Sequence, residues 1–235
     1  MSESDRRQLT ASKLAAGLFL NTAFYGLILF LPAGTLRWWR AWVFLGVTFI
    51  VTGIAVRSIF LKNPGLLSER YRGVIQKGQP LWDRIFVIFL LVSYLGQVIF
   101  IPIDVFWFHL LPKPDALASF FGLVLYVGGW WILTLAMIIN PFAVPVVRLQ
   151  EERHQRVIDT GVYAVVRHPM YAGFVPFVVG PALWLESYTA ALLAIVPIAV
   201  LAARSVFEER FLKQELKGYE AYSRKVRYRL IPFVW

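Results

Sequence analysis

Residues 116–147 read ALASFFGLVLYVGGWWILTLAMIINPFAVPVV, bounded by Asp115 and Arg148 with no charge between them. So long an apolar run exceeds the roughly 20 residues a helix needs to cross a bilayer, and it predicts a transmembrane span ending near polar Asn140. Working outward, residues 14–36 and 41–56 are likewise uncharged, as are 85–103, where Ser93 and Gln97 are the polar positions. Two shorter runs, 169–185 and 187–203, are separated by Glu186 and contain Pro176, Pro181 and Pro197, which favours a hairpin of kinked or tilted helices. The expected fold is all-α: a multi-pass transmembrane helical protein with four long spans plus a C-terminal helical hairpin, five to six membrane segments in all.

The composition agrees. A chain of 235 residues that is 58% hydrophobic and 16% charged reads as an integral membrane protein. Without cysteine there is no disulfide framework, thiolate metal site or Cys nucleophile, and three scattered histidines give little from which to build a metal centre. The net charge of +10 does not describe a nucleic-acid footprint, because the basic residues fall between the apolar runs. Of the 24 Lys and Arg, 21 fall on one side: Arg6, Arg7 and Lys13, the six from Arg57 to Arg84, four from Arg148 to Arg167, and eight from Arg204 to Arg229. Arg37, Arg40 and Lys113 lie opposite. By the positive-inside rule both termini are cytoplasmic, in the inner or plasma membrane of a prokaryote or the endoplasmic reticulum of a eukaryote. Trp38, Trp39, Trp42 and Trp107 fit interfacial belts. The first run is read as a retained helix, since its length and the absence of a convincing small-residue cleavage site argue against a signal peptide. The 62–84 loop, with Pro64, Gly65, Gly73 and Gly78, is expected to lie ordered at the membrane surface, its basic residues on anionic lipid.

Chemistry concentrates at the inside face of residues 140–235, whereas 1–139 mostly make spans. Arg204 and Glu208, four apart at the end of the last apolar run, share a helix face. They read either as a supporting ion pair or, at the mouth of a helix hairpin, as ligand-binding groups. Glu209 points elsewhere on that helix, reaching a ligand only from the side. Gly161 permits a tight turn, and His168 before Pro169 marks a helix N-terminus, where exposed N–H groups and the dipole can receive an anion. The tail from Gly218 to Pro232 mixes aromatic and basic residues, as an interfacial helix or as a lid. Neither nucleotide-binding glycine fingerprint is present.

The ordered set Gln150, Thr160-Gly-Val-Tyr163, Arg167-His-Pro-Met-Tyr171-Ala-Gly173, Glu208-Glu209, Gly218-Tyr-Glu-Ala-Tyr222 and Leu230-Ile-Pro232 resembles the isoprenylcysteine carboxyl methyltransferase family, related to the phospholipid methyltransferases. The resemblance covers about the last 95 residues. It implies a membrane methyltransferase using S-adenosylmethionine, bound from the cytoplasmic face without a Rossmann domain, and a lipophilic acceptor arriving from the bilayer. The resemblance further implies that Gln150, Gln155, Arg156, Val157, Ile158, Tyr163, His168, Pro169, Met170, Tyr171, Glu208 and Glu209 hold the cofactor. It likewise implies that Arg204 faces the acceptor, with Glu208 beside it as the second catalytic candidate. Where this chain has Gln155 the family often has His. The favoured reaction is carboxyl O-methylation of a prenylcysteine-like or isoprenoid substrate. Two other readings stay open: an NADPH-dependent membrane reductase resembling the sterol reductases, and a non-enzymatic scaffold or transporter. Membrane lipids are expected neighbours, nucleic acid is not a partner, and nothing in the sequence specifies an oligomeric state.

Overall fold

A computed structural model describes residues 11–235; Arg6 and Arg7, counted above towards the basic side, lie outside the described residues. Helices account for every long element: α1 (Ala11–Ala33), α2 (Trp39–Lys62), the short α3 (Pro64–Arg70), α4 (Leu81–Ile103), α5 (Ala116–Ile139), α6 (Pro169–Trp184), α7 (Tyr188–Leu193), α8 (Ile195–Glu215) and the short α9 (Tyr219–Lys225). A π turn, Asp104–Phe108, extends α4. Among the described residues, five stretches are long and apolar enough to span a bilayer, namely Ser12–Ala33, Trp39–Lys62, Leu81–Phe108, Ala116–Ile139 and Tyr188–Glu215.

The two arms of the hairpin differ in length. α6 is short, as its apolar run suggests, but the second arm continues past residue 203 through Arg204, Glu208 and Glu209 to Glu215. The apolar run ends at Ala203 but the helix does not: Arg204 and Glu209 are buried, Glu208 is half-buried, and all three are hydrogen-bonded within the protein. Its break falls at Ala194, between α7 and α8. Pro197 explains the position: it offers no N–H to the carbonyl four residues back, at Leu193, and its ring crowds that carbonyl.

α5 and α6 pack backbone against backbone along a seam of glycines. Gly122 and Gly129 lie seven residues apart on α5, and Gly173 and Gly180 the same distance apart on α6, so each pair occupies one face two turns apart. A Cβ at Gly129 would stand 2.6 Å from Phe177 N, and one at Gly180 would stand 2.5 Å from Gly122 O. Small residues here replace the hydrophobic driving force that lipid-embedded helices lack. Gly180→Leu is therefore expected to lower the melting temperature in detergent by roughly 5 °C. Gly128→Leu, whose added Cβ meets nothing within 4 Å, should leave it nearly unchanged when both are measured by thermal unfolding.

The membrane-depth polar groups serve packing. Gln97 Nε2 donates to the carbonyls of Val178 and Ala190, each at 3.0 Å, and ties α4 to α6 and α7. Ser93 and Thr134 bond to carbonyls of their own helices. Thr48 and Tyr126 share a hydrogen bond at 2.9 Å. These were the groups a transporter path would have used, and the helices use them instead.

The two ends of the bundle differ in charge. At one end Arg40 bonds to the carbonyl of Trp184 at 3.0 Å and pairs with Glu186 at 3.2 Å, while Ser187 donates to buried Asp104 at 2.6 Å. Of the belt tryptophans, Trp39, Trp42 and Trp107 are exposed, but Trp38 is buried with its ring against Phe106. At the other end Leu14 of α1 packs in one cluster with Ile59, Leu66 and Met137. The 62–84 loop there is ordered around the short α3, and its side chains bond to the connection between α5 and α6. Arg70 donates to the carbonyl of Ala143 at 2.8 Å, and Glu69 of α3 pairs with Arg148 at 3.1 Å. Asn63 caps the last turn of α5 through the carbonyls of Met137 and Ile138.

Candidate functional site

Between α5 and α6 the chain makes two tight folds. Residues Glu151–Arg153 form a 3-10 turn that ends at His154 in the left-handed region, φ +51°. This returns Gln155 to Gln150, whose backbone N–H donates to Gln155 Oε1 at 2.8 Å. The Gln150 side chain is buried, donating to the carbonyl of Phe142 and accepting from Arg153. A second 3-10 turn, Gly161–Ala164, opens on Gly161 at φ +58°, where a Cβ would also strike Ile139 Cδ1 at 2.5 Å. The positive φ is what favours glycine there, since the Ile139 side-chain end could move aside. The turn buries Tyr163, and burial pushes its phenol up, which keeps it a neutral hydrogen-bonding group at neutral pH.

Pro169 occupies the first turn of α6, as the His-Pro pair predicts. The strand-like step before it is held by the tail: Arg167 N donates to Tyr228 O and His168 N to Arg229 O, each at 2.9 Å, around a parallel bridge between Val166 and Tyr228. The Arg167 guanidinium also binds the carbonyls of Val226 and Arg227. Glu209 completes this lock, accepting from Arg167 at 2.6 Å, lying 3.2 Å from His168 Nε2, and accepting from Arg229 at 3.1 Å. The tail therefore does not hang over the site as a loose lid; it is built into the motif.

Arg204 and Glu208 are not joined to each other by an ion pair among the described residues. Tyr171 stands between them: its hydroxyl accepts from Arg204 Nη1 at 2.7 Å and donates to Glu208 Oε2. The His168 ring stacks on Tyr171, with centroids 5.1 Å apart and planes 13° apart. Arg204 Nε donates to Asp83 Oδ1 at 2.8 Å, and Nη2 donates to the carbonyl of Pro145 at 3.0 Å. Asp83 sits in the first turn of α4, at a position the sequence places in the 62–84 loop and gives no part in the site. A lone Asp beside Trp82 and Arg84 gives no local sign of a partner 121 residues away.

These elements enclose a cavity of about 470 Å³, within the range of small-molecule sites. Its polar part is lined by the expected Gln150, Gln155, Arg156, Val157, Ile158, Tyr163, His168, Pro169, Met170, Tyr171, Arg204 and Glu208. Glu209 is not among the lining residues; its carboxylate is occupied by the lock just described. Arg70, Asn140, Arg148, Tyr219 and Tyr222 line it as well. The other part is apolar and lies at span depth, with Ala55, Val56, Ile59, Leu90, Trp130, Leu133, Phe174, Phe177 and Leu201. One cavity thus joins a polar end among interfacial loops to an apolar arm among the helices. Tyr222 spends its hydroxyl on the carbonyl of Tyr163 at 2.8 Å, but the buried hydroxyl of Tyr219 has no hydrogen-bond partner among the described residues. A buried orphan donor on a cavity wall suits a polar ligand.

Comparison with known proteins points the same way. The family model described as Phospholipid methyltransferase matches residues 150–218, the stretch that supplies much of the polar wall. Protein-S-isoprenylcysteine O-methyltransferase B of Arabidopsis thaliana is 28% identical over 147 residues, covering 61% of this chain and 70% of that protein. A probable protein-S-isoprenylcysteine O-methyltransferase of Oryza sativa subsp. indica is 29% identical over 150 residues, covering 62% and 73%. Protein-S-isoprenylcysteine O-methyltransferase A of Arabidopsis thaliana is 30% identical over 127 residues, covering 53% and 60%.

Proposed function

We propose that this protein, which the comparisons relate to the isoprenylcysteine carboxyl methyltransferase family, is an integral membrane methyltransferase. It takes its methyl group from S-adenosylmethionine and places it on the carboxylate of a prenylcysteine-like or isoprenoid acceptor. The observation that carries the reading is the two-part cavity: a polar end built from the motif residues, open to an apolar arm that a lipid chain can fill from the bilayer. In this reading the polar end and both termini face the cytoplasm, in keeping with the basic residues gathered there.

The residues fit the two ligands as follows. The first turn of α6, from Pro169 to Tyr171, borders the cavity; with the Tyr171 and Ala172 N–H groups spent on His168 O, it offers the cofactor's carboxylate the Met170 N–H and the positive end of the helix dipole. Gln150, locked by Gln155 and Arg153, frames the neighbouring wall, and the unpaired Tyr219 hydroxyl offers a donor and acceptor for a polar edge. Glu208, held by Tyr171, places negative charge beside the site of a bound cation. When bound, S-adenosylmethionine supplies a methyl group on a sulfonium that departs as a neutral thioether.

The acceptor needs no general base, because an α-carboxyl with a pKa of about 3.5 is already ionised at neutral pH. What the chain must do is orient and dehydrate. Three of the five N–H groups of Arg204 are spent on Asp83, Tyr171 and Pro145, which leaves one on each terminal nitrogen to hold a carboxylate in line with the donor. The apolar arm excludes water from the reacting atoms.

Calorimetry on detergent-purified protein tests the cofactor assignment: S-adenosylmethionine is expected to bind and NADPH not. Binding of NADPH alone would replace this reading with the reductase. Tyr219→Phe is expected to weaken S-adenosylmethionine binding by about 10-fold in the same experiment while leaving the melting temperature within about 2 °C, since the hydroxyl it removes is unpaired within the protein.

A further inference from the structure

Asp83 is the most deeply buried carboxylate near the site, with no exposed surface, yet it does not line the cavity. Oδ1 accepts from Arg204 Nε, while Oδ2 accepts from Val147 N at 2.8 Å and from Gln79 Nε2 at 2.7 Å. A buried ion pair repays its desolvation only when hydrogen bonds satisfy it fully, and an apolar pair of the same shape would hold the helices together about as well. Stability alone therefore gives this pair little reason to exist. Its geometry supplies one: with Nε fixed on Asp83 and Nη2 on Pro145, the guanidinium plane is set, and Nη1 meets the Tyr171 hydroxyl that also binds Glu208.

We infer that Asp83 is a positioning residue for methyl transfer, acting from the first turn of α4 by fixing the guanidinium of Arg204 for the acceptor carboxylate. The inference rests on the role of Arg204 proposed above. It also assigns the N-terminal half of the chain a part in the chemistry, since Asp83 and its partner Gln79 both lie there.

In Asp83→Asn, the single acceptor oxygen can serve Val147 and Gln79 or Arg204, but not both sides; the amide N–H₂ then faces a donor. Turnover in purified protein is expected to fall about 30-fold, with the KM for S-adenosylmethionine within about threefold of native. Asp104→Asn alters the other buried aspartate, at the far end of the α4 rod and bonded to Ser187 and Leu110, and serves as the control for a structural loss alone. It is expected to lower the melting temperature without the fall in turnover. A double-mutant cycle is the sharper reading: added to Arg204→Lys, Asp83→Asn is expected to cost less than about twofold more. Independent losses that multiply, or native turnover in Asp83→Asn, would overturn the inference.

A second measurement does not depend on activity. The arginine Nε–H resonance that Arg204→Lys abolishes should shift or broaden in Asp83→Asn and stay in place in Asp104→Asn. If it is unmoved in Asp83→Asn the inference fails, whether or not the protein methylates anything. A native protein with this resonance response but no methyl transfer would instead refute the proposed function.

Discussion

Arg204→Ala is expected to reduce kcat by about 100- to 1,000-fold while S-adenosylmethionine still binds within about threefold of its native affinity. The size follows from what is lost, which is a guanidinium that reaches both the Tyr171–Glu208 pair and the cavity, together with the two N–H groups assigned to the acceptor. The split between turnover and cofactor affinity follows from position, since Arg204 is assigned to the acceptor and the first turn of α6 to the cofactor. Removal also leaves Asp83 buried without its cation, so a loss of stability must accompany the change. Arg204→Lys separates the two effects. It keeps a charge near Asp83 but cannot make the fixed fork, and it should recover much of the melting temperature and little of the rate. Steady-state kinetics with calorimetry checks both halves; a collapse of cofactor affinity with turnover of bound cofactor intact would move Arg204 to the other ligand.

Glu209→Ala is expected to be the most destabilising change near the site. It frees Arg167, His168 and Arg229 at once in a region where the Arg167 and His168 side chains are almost wholly buried. Removing one partner of a buried charged set costs about 3–5 kcal/mol, a fall in melting temperature on the order of 10 °C. Its neighbour should behave in the opposite way. Glu208→Gln keeps the shape, removes the charge that Tyr171 holds towards the cavity, and is expected to lower turnover about 10-fold with little effect on melting. Thermal unfolding and turnover on the two variants test the contrast, which would fail if Glu208→Gln were the one to unfold the protein.

Those two adjacent residues show what a sequence can and cannot disclose. Apolar length placed the spans, because bilayer thickness fixes how many uncharged residues a helix needs, and the His-Pro step placed the start of α6. Adjacency on a helix put Arg204 and Glu208 on one face and turned Glu209 away. What Glu209 meets there depends on the tail folding back onto Arg167, a contact between residues 20 to 42 positions apart that leaves no local pattern. Asp83 was hidden for a stronger form of the same reason. The glycine seam was visible as a spacing of seven in two helices, but a spacing becomes a seam only when the helices are known to face each other. Tyr171 read as part of a turn motif; that its hydroxyl sits between Arg204 and Glu208 follows from the first turn of α6 lying against α8.

The most direct test of the central claim is methyl transfer itself. Membranes containing the full chain would be given S-adenosylmethionine labelled on its methyl group, with an N-acetylated prenylcysteine or with phosphatidylethanolamine as acceptor. The account predicts base-labile label on the prenylcysteine, as a methyl ester, falling at least 100-fold in Arg204→Ala. Label appearing only on the phospholipid amine, or on neither acceptor while NADPH is consumed, would contradict it.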